Sequence, residues 1–175
     1  MAVEAFLCSA IILAGGQSRR MGRNKALLPV PGTEQTTFVE HLATQLHAYC
    51  HEVIIVARDA QQASEYAHID NLQIITDAVP DIGPLMGLYS GLLACTSAYA
   101  LVTAVDMPFV SDEMLAFLLA QPYDDALVMP VVSDVPQVLL ARYPRAILPL
   151  LEARLQAGRH DPRSLLDVAP VRYIV

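Results

Sequence analysis

The feature that most constrains the fold is an alternation that runs through the first two-thirds of the chain. Short, uninterrupted apolar runs take turns with segments of helical spacing. Ser9 to Ala14, Val53 to Ala57, Gln73 to Thr76 and Tyr99 to Val105 each have the length of a strand. Between them, Thr37 to Glu40 forms a capping-box pattern, after which Phe38, Leu42 and Leu46 recur at helical spacing to about Cys50. A weaker helix is expected over Ala60 to His68. A further one should start at Pro84, a favoured first helical residue, and run to about Thr96. Strands with no polar alternation, linked by helices, predict a mainly parallel sheet covered on both faces. Beyond that stretch Ser111 caps a helix to about Leu119, and Ala126 to Val131 and Val138 to Arg142 read as strands. A helix over Pro144 to Ala157 stops at Gly158, Asp161-Pro162 opens a short one, and Val171 to Val175 is a last strand.

Length and composition narrow the class. The 175 residues suit one domain, and 54% hydrophobic content supports a packed core. No apolar run approaches the roughly 20 residues of a membrane span, and Glu4 stands where an export signal would be basic. Cys8, Cys50 and Cys95 are widely spaced with no CxxC pair, so they read as buried thiols of a cytoplasmic protein. A net charge of −7 argues against nucleic acid as a partner. The positive charge is nonetheless concentrated. Arg19, Arg20, Arg23 and Lys25 place four of the 11 basic residues within seven positions, and Lys25 is the sole lysine.

In a parallel sheet, ligands bind beyond the carboxyl ends of the strands. Three polar features fall there: Gly15 to Lys25 after the first strand, Asp77 after the third and Asp106 after the fourth. The first is the segment Leu13-Ala14-Gly15-Gly16-Gln17-Ser18-Arg19-Arg20-Met21-Gly22-Arg23-Asn24-Lys25. Its glycines admit close approach of the backbone, and successive N–H groups can cradle an anion. Arg19 and Lys25 can then neutralise a triphosphate. The spacing matches neither GxxxxGK[ST] nor GxGxxG. Asp106, in a turn fixed by Pro108, suits a hard cation such as Mg²⁺ shared with phosphates. Asp77 can accept from a base or ribose or support a metal site at one remove, although a lone loop aspartate is more often a turn former. The Gly83 to Gly87 helix start offers backbone N–H groups to an oxygen, or simply packs through small residues.

These segments resemble a family. The run LAGGxSRRMGxxKALLP is similar to the opening motif of the molybdenum-cofactor guanylyltransferases, within the wider group of nucleotide-sugar-type pyrophosphorylases. The likeness continues at Asp77, at Gly83-Pro84-Leu85-Met86-Gly87-Leu88 (the family's GPLAG) and at Val105-Asp106-Met107-Pro108-Phe109 (its CDxPF). The resemblance implies a three-layer α/β/α, Rossmann-like nucleotidyltransferase fold with a mainly parallel central sheet. It implies one domain over 1–175, with 10–112 binding the NTP and 113–175 the acceptor. Leu13, Ala14, Gly15, Gly16, Lys25, Asp77, Gly83, Gly87 and Asp106 would bind the nucleotide, with Asp106 also holding Mg²⁺. Arg19, Lys25 and Asp106 would be catalytic. The implied reaction moves GMP from GTP to the terminal phosphate of molybdopterin and releases pyrophosphate. Cofactor-accepting molybdoenzymes or their chaperones would be further partners, and a membrane would not.

The Gly15-Gly16 pair favours guanine, because related cytidylyltransferases and sugar uridylyltransferases usually carry Ala-Gly there. Two departures keep other readings open. Val56 stands where the family often has a nucleotide-contacting Asn, and the family's Asn-rich segment resembling NxNTPED has no counterpart before Val175. The alternatives are a cytidylyl- or guanylyltransferase for another phosphorylated acceptor, and a non-catalytic nucleotide-binding homologue. Gln137, Arg142, Arg159, His160 and Arg163 are candidates for the acceptor's phosphate or pterin by analogy, although Arg154 and Arg159 also read as helix-end charges. The five histidines read as surface residues.

Overall fold

The computed structural model describes residues 7–15, 24–33, 35–80, 82–107 and 109–175. The alternating half forms as its sequence predicts. Strand β1 (Cys8–Leu13) leads through a 3-10 turn at Lys25–Leu27 to helix α1 (Phe38–His47). Then follow β2 (Val53–Ala57), α2 (Ala60–Ser64), β3 (Gln73–Thr76), α3 (Pro84–Ala94) and β4 (Tyr99–Ala104). All three pairings among these strands, β1–β2, β1–β4 and β2–β3, are parallel. Helix α1 begins with the expected capping box, Thr37 and Glu40 satisfying each other's backbone N–H. Helix α2 is shorter than the expected span to His68: Asp59 caps it, but after Ser64 the chain breaks into turns that bring Tyr66 into the core.

The second half departs from the parallel pattern. Helix α4 (Asp112–Ala120), capped by Ser111, precedes β5 (Leu127–Val132), β6 (Val135–Pro136) and β7 (Leu140–Pro144). A 3-10 turn at Arg145–Ile147 leads into α5 (Leu148–Gln156), another 3-10 turn spans Pro162–Asp167, and β8 (Val171–Ile174) closes the described elements. The sheet runs β3-β2-β1-β4-β7-β5-β6, with β8 beside β5. Strand β7 is antiparallel to both β4 and β5, whereas β8 is parallel to β5. The expected strand over Val138 to Arg142 and the expected helix from Pro144 both shift. Pro144 is instead paired with Tyr99, at the end of β7. The small β5–β6 hairpin, turned by Ser133 and Asp134 at φ 49° and 63°, lacks the Asn-Gly signal that marks such turns in a sequence.

Two cores flank the sheet. One joins Val39, Leu42 and Leu46 of α1 and Leu115 and Leu118 of α4 to Ile12, Ile55 and Leu101. The other joins Leu85, Leu88 and Leu92 of α3 and Leu151 of α5 to Ile11, Ile54 and Val102. Helix α3 lies unusually close to the sheet, because a Cβ at Gly91 would stand 2.7 Å from Ile11 Cγ2. The three cysteines are free and buried. Burial pushes the Cys95 thiol up to about 12, and a hydrogen bond with Cys50, added to burial, raises Cys8 as well. Both thiols are held protonated, which leaves them as packing groups.

Candidate active site

The carboxyl edge of the parallel half is built outward from β1. Leu13 O accepts from Val105 N at 3.1 Å and Ala14 N donates to Val56 O at 3.0 Å, so both neighbouring strands fix the end of β1. Ala14 is buried and its carbonyl accepts from Gln62 Nε2 at 2.9 Å. Gln62, itself buried, accepts through Oε1 from Arg58 N at 2.7 Å. This side chain therefore ties α2 to the ends of β1 and β2, just where the glycine loop departs. It was missed in the sequence reading; its one signal was a polar residue on the inward side of a weak helix.

Asp77 meets this edge from β3. Its N–H donates to Ala57 O at 2.9 Å, which continues the β2–β3 ladder by one residue. A Cβ placed on Gly15 would lie 3.2 Å from Asp77 Oδ2, and one on Gly87 would lie 3.5 Å from Asp77 Oδ1. The same Gly87 position faces Leu13 Cδ2 at 3.3 Å. Thus one half-buried carboxylate sits between two glycines that are 72 positions apart in the sequence. Side chains at either glycine would crowd it. The turn after Asp77 is anchored too: Ala78 N donates to Ser90 Oγ at 3.0 Å, and Ser90 Oγ donates to Met86 O.

The start of α3 is more heavily engaged than the sequence suggested. Gly83 caps it at φ 117°, a conformation that L side chains rarely adopt. Leu85 N donates to His160 O at 3.2 Å, Met86 N turns back to Gly83 O, and Pro84 has no N–H. The protein itself therefore satisfies donors that the sequence offered to a ligand. A Cβ at Gly83 would meet His160 O at 3.2 Å, so the glycine allows the segment before the Pro162–Asp167 turn to close over this helix end.

Lys25 opens the first 3-10 turn and is exposed. Asn24 caps that turn, accepting from Ala26 N, while its amide donates to Glu65 Oε2 at 2.7 Å and to Tyr66 Oη at 2.9 Å. Burial pushes the Tyr66 phenol up to about 12, so it stays a neutral partner for Asn24. The lysine is thereby mounted on a fixed base while its stem remains in solvent. Gly16 and Arg19, with Arg20 and Arg23, lie outside the described residues.

Asp106 is exposed in the turn that ends β4, where Met107 N donates to Ala104 O at 3.0 Å. Among the described residues no cluster of three or more His, Cys, Asp or Glu side chains could hold a metal. A single accessible carboxylate fits only an ion that draws its other ligands from phosphate and water. Mg²⁺ characteristically binds in that way.

The acceptor candidates separate. Arg142 is fully buried and is corrected here to a structural residue. Its guanidinium donates to Leu118 O, Gln121 O and Pro122 O at 3.0, 2.8 and 2.6 Å, and lies 4.1 Å from the centre of the Tyr123 ring. It caps the carbonyl end of α4, and its complete burial keeps it out of a substrate's reach. Gln137 donates to Val135 O within its own hairpin. Arg159 and Arg163 are exposed, and His160 reaches the α3 start through its backbone.

A parallel half-sheet with Gly15, Asp77 and Asp106 following its strands at the carboxyl edge defines a doubly wound α/β protein of the nucleotide-binding kind. Comparison with known proteins agrees. The family model for the MobA-like NTP transferase domain matches residues 10–172, so the chain belongs to the MobA-like NTP transferase family. A "Probable molybdenum cofactor guanylyltransferase" of Methanothermobacter thermautotrophicus is 33% identical over 168 residues, covering 92% of this chain and 83% of the relative. One of Bacillus mycoides with the same name is 30% identical over 171 residues, covering 95% and 83%. Among solved structures, molybdopterin-guanine dinucleotide biosynthesis protein A from Archaeoglobus fulgidus superposes with a TM-score of 0.79 at 25% identity, covering 95% of this chain and 82% of that one.

Proposed function

We propose that the protein transfers GMP from GTP to the terminal phosphate of molybdopterin and releases pyrophosphate. The observation that carries this reading is the packing of Asp77 between Gly15 and Gly87, with Asp106 at the end of β4, the strand beside the β1 that ends at Gly15. The relatives' shared name supplies the substrate pair. In the reaction, an oxygen of the acceptor phosphate bonds to the α-phosphorus of GTP. The bond from that phosphorus to the β-phosphate bridging oxygen breaks, and pyrophosphate departs with the electron pair.

The chain's own contribution is positioning and electrostatics. Leu13, Ala14, Gly15 and Gly16 present backbone to the nucleotide. Gln62 holds the Ala14 carbonyl in place at the end of β1. Asp77 accepts from the nucleoside, and the Gly83 to Gly87 segment shapes the guanine side of the pocket. Arg19 and Lys25 stabilise charge on the departing pyrophosphate. Asp106 would hold Mg²⁺, which supplies charge neutralisation between the two phosphates when bound. A biosynthetic step of this kind fits a cytoplasmic protein that hands its product to molybdoenzymes or their chaperones.

The test is a pyrophosphate-release assay with each NTP, with and without molybdopterin. Release only with GTP and molybdopterin together is expected. A preference for CTP would reassign the base, and release without molybdopterin would reassign the acceptor.

A further inference from the structure

We propose that Phe109 is the platform on which the planar pterin ring of the acceptor stacks, an assignment that rests on the transfer reaction above. Phe109 is 65% exposed, more than every other large hydrophobic residue described except the terminal Val175. It lies three positions beyond Asp106, on the loop that joins β4 to α4.

The ring is exposed but not loose. Phe38, at the first position of α1, meets it edge-to-face with ring centres 6.0 Å apart and planes at 78°. His41, one turn on, packs against it at 6.3 Å and 50°. Both neighbours meet it at steep angles and neither stacks in parallel upon it. A planar heteroaromatic ligand is the partner that an ordered, open aromatic face takes best.

Position separates the acceptor from the guanine base. Gly15, Asp77 and Gly87 gather against α3, which covers one face of the sheet. Phe109 packs on α1, which covers the opposite face. Asp106, at the end of β4, stands in the chain between the nucleotide groups and this ring. A nucleotide held against α3 and an acceptor ring held at Phe109 would therefore come to the carboxyl edge from opposite faces of the sheet.

Steady-state kinetics of the full-length protein with both substrates varied provides the test, using Phe109→Ala, Phe109→Leu and Phe109→Tyr. Loss of one stacked ring should raise KM for molybdopterin about tenfold in Phe109→Ala. KM for GTP and Tm should stay at the wild-type values. Phe109→Tyr should restore molybdopterin binding, and Phe109→Leu, apolar but without a π face, should not. An unchanged molybdopterin KM in Phe109→Ala overturns the inference while leaving the transfer reaction intact. A rise in the GTP KM instead assigns the ring to the base, and full rescue by leucine reduces it to simple packing; either overturns it. Absence of any transfer by the wild-type protein would overturn the functional reading, and this inference with it.

Discussion

The two halves of the sheet use their polar residues in opposite directions. Along the parallel half, the ends of β1, β3 and β4 carry Gly15, Asp77 and Asp106 toward one edge, and Lys25 is exposed on the turn between β1 and α1. Along the antiparallel half, charged groups face the protein's own backbone. Arg142 closes the carbonyl end of α4, and Arg145 Nε donates to Leu92 O at 3.1 Å near the end of α3. A parallel strand delivers its carboxyl end to the same edge as its neighbours, so its loops can share a ligand. Strand β7 runs the other way and delivers its carboxyl end to the opposite edge, where Arg142 and the following Arg145 meet helix ends first. Charge type alone does not separate a ligand-binding residue from a structural one; strand direction and burial do.

The contrast can be broken most sharply at Arg142. Arg142→Met should destabilise the fold by about 3 kcal/mol, because several buried carbonyls lose a charged donor. Chemical denaturation would show this, while activity per folded molecule should be unchanged. A large loss of activity in a normally stable variant would return Arg142 to the substrate site.

Asp106→Ala should do the reverse, lowering the transfer rate by roughly 10²-fold while Tm stays constant. Titration of Mg²⁺ into both proteins would sharpen the point, since only the wild type should respond at low concentration. Lys25→Ala is expected to lower kcat and kcat/KM together by roughly tenfold. An effect confined to KM would make the lysine a ground-state anchor.

The smallest effect concerns acid stability at the opposite end of the sheet. Burial acts to raise the Glu52 carboxyl, but the Ser9 hydroxyl, the Thr96 N–H and hydroxyl, and His51 together hold it below its usual range. A lowered folded-state value means stability that is present above the unfolded carboxyl range and is lost as pH falls through the folded value. Tm of the wild type should therefore drop as pH falls below about 4, the usual glutamate range. Glu52→Gln should show a shallower drop, with transfer activity at neutral pH untouched.

Much of the fold could be read from order and pattern. The capping box at Thr37, the helix start at Pro84 and the cap at Ser111 form where their local chemistry requires, since each is decided within a few residues. Apart from the early end of α2 at Ser64, the misplaced elements lie after Val132, where β6 and β7 depend on long-range pairing. Pro144 reads as a helix starter on local grounds but is held opposite Tyr99 in the sheet. Arg142 was misread for a related reason. Nothing in its sequence neighbourhood signals Leu118 O or Pro122 O, which lie 24 and 20 positions away.

By itself, the sequence determined the alternating βα order, the apolar strands and the carboxyl edge on which Gly15, Asp77 and Asp106 fall. These follow from local propensity and from the one-directional geometry of parallel strands. Only the tertiary structure decided that Asp77 packs between Gly15 and Gly87, that Gln62 braces Ala14, and that His160 occupies a donor at the start of α3. Those contacts join residues far apart in the chain at distances near van der Waals contact, and no periodicity encodes a closure of that kind.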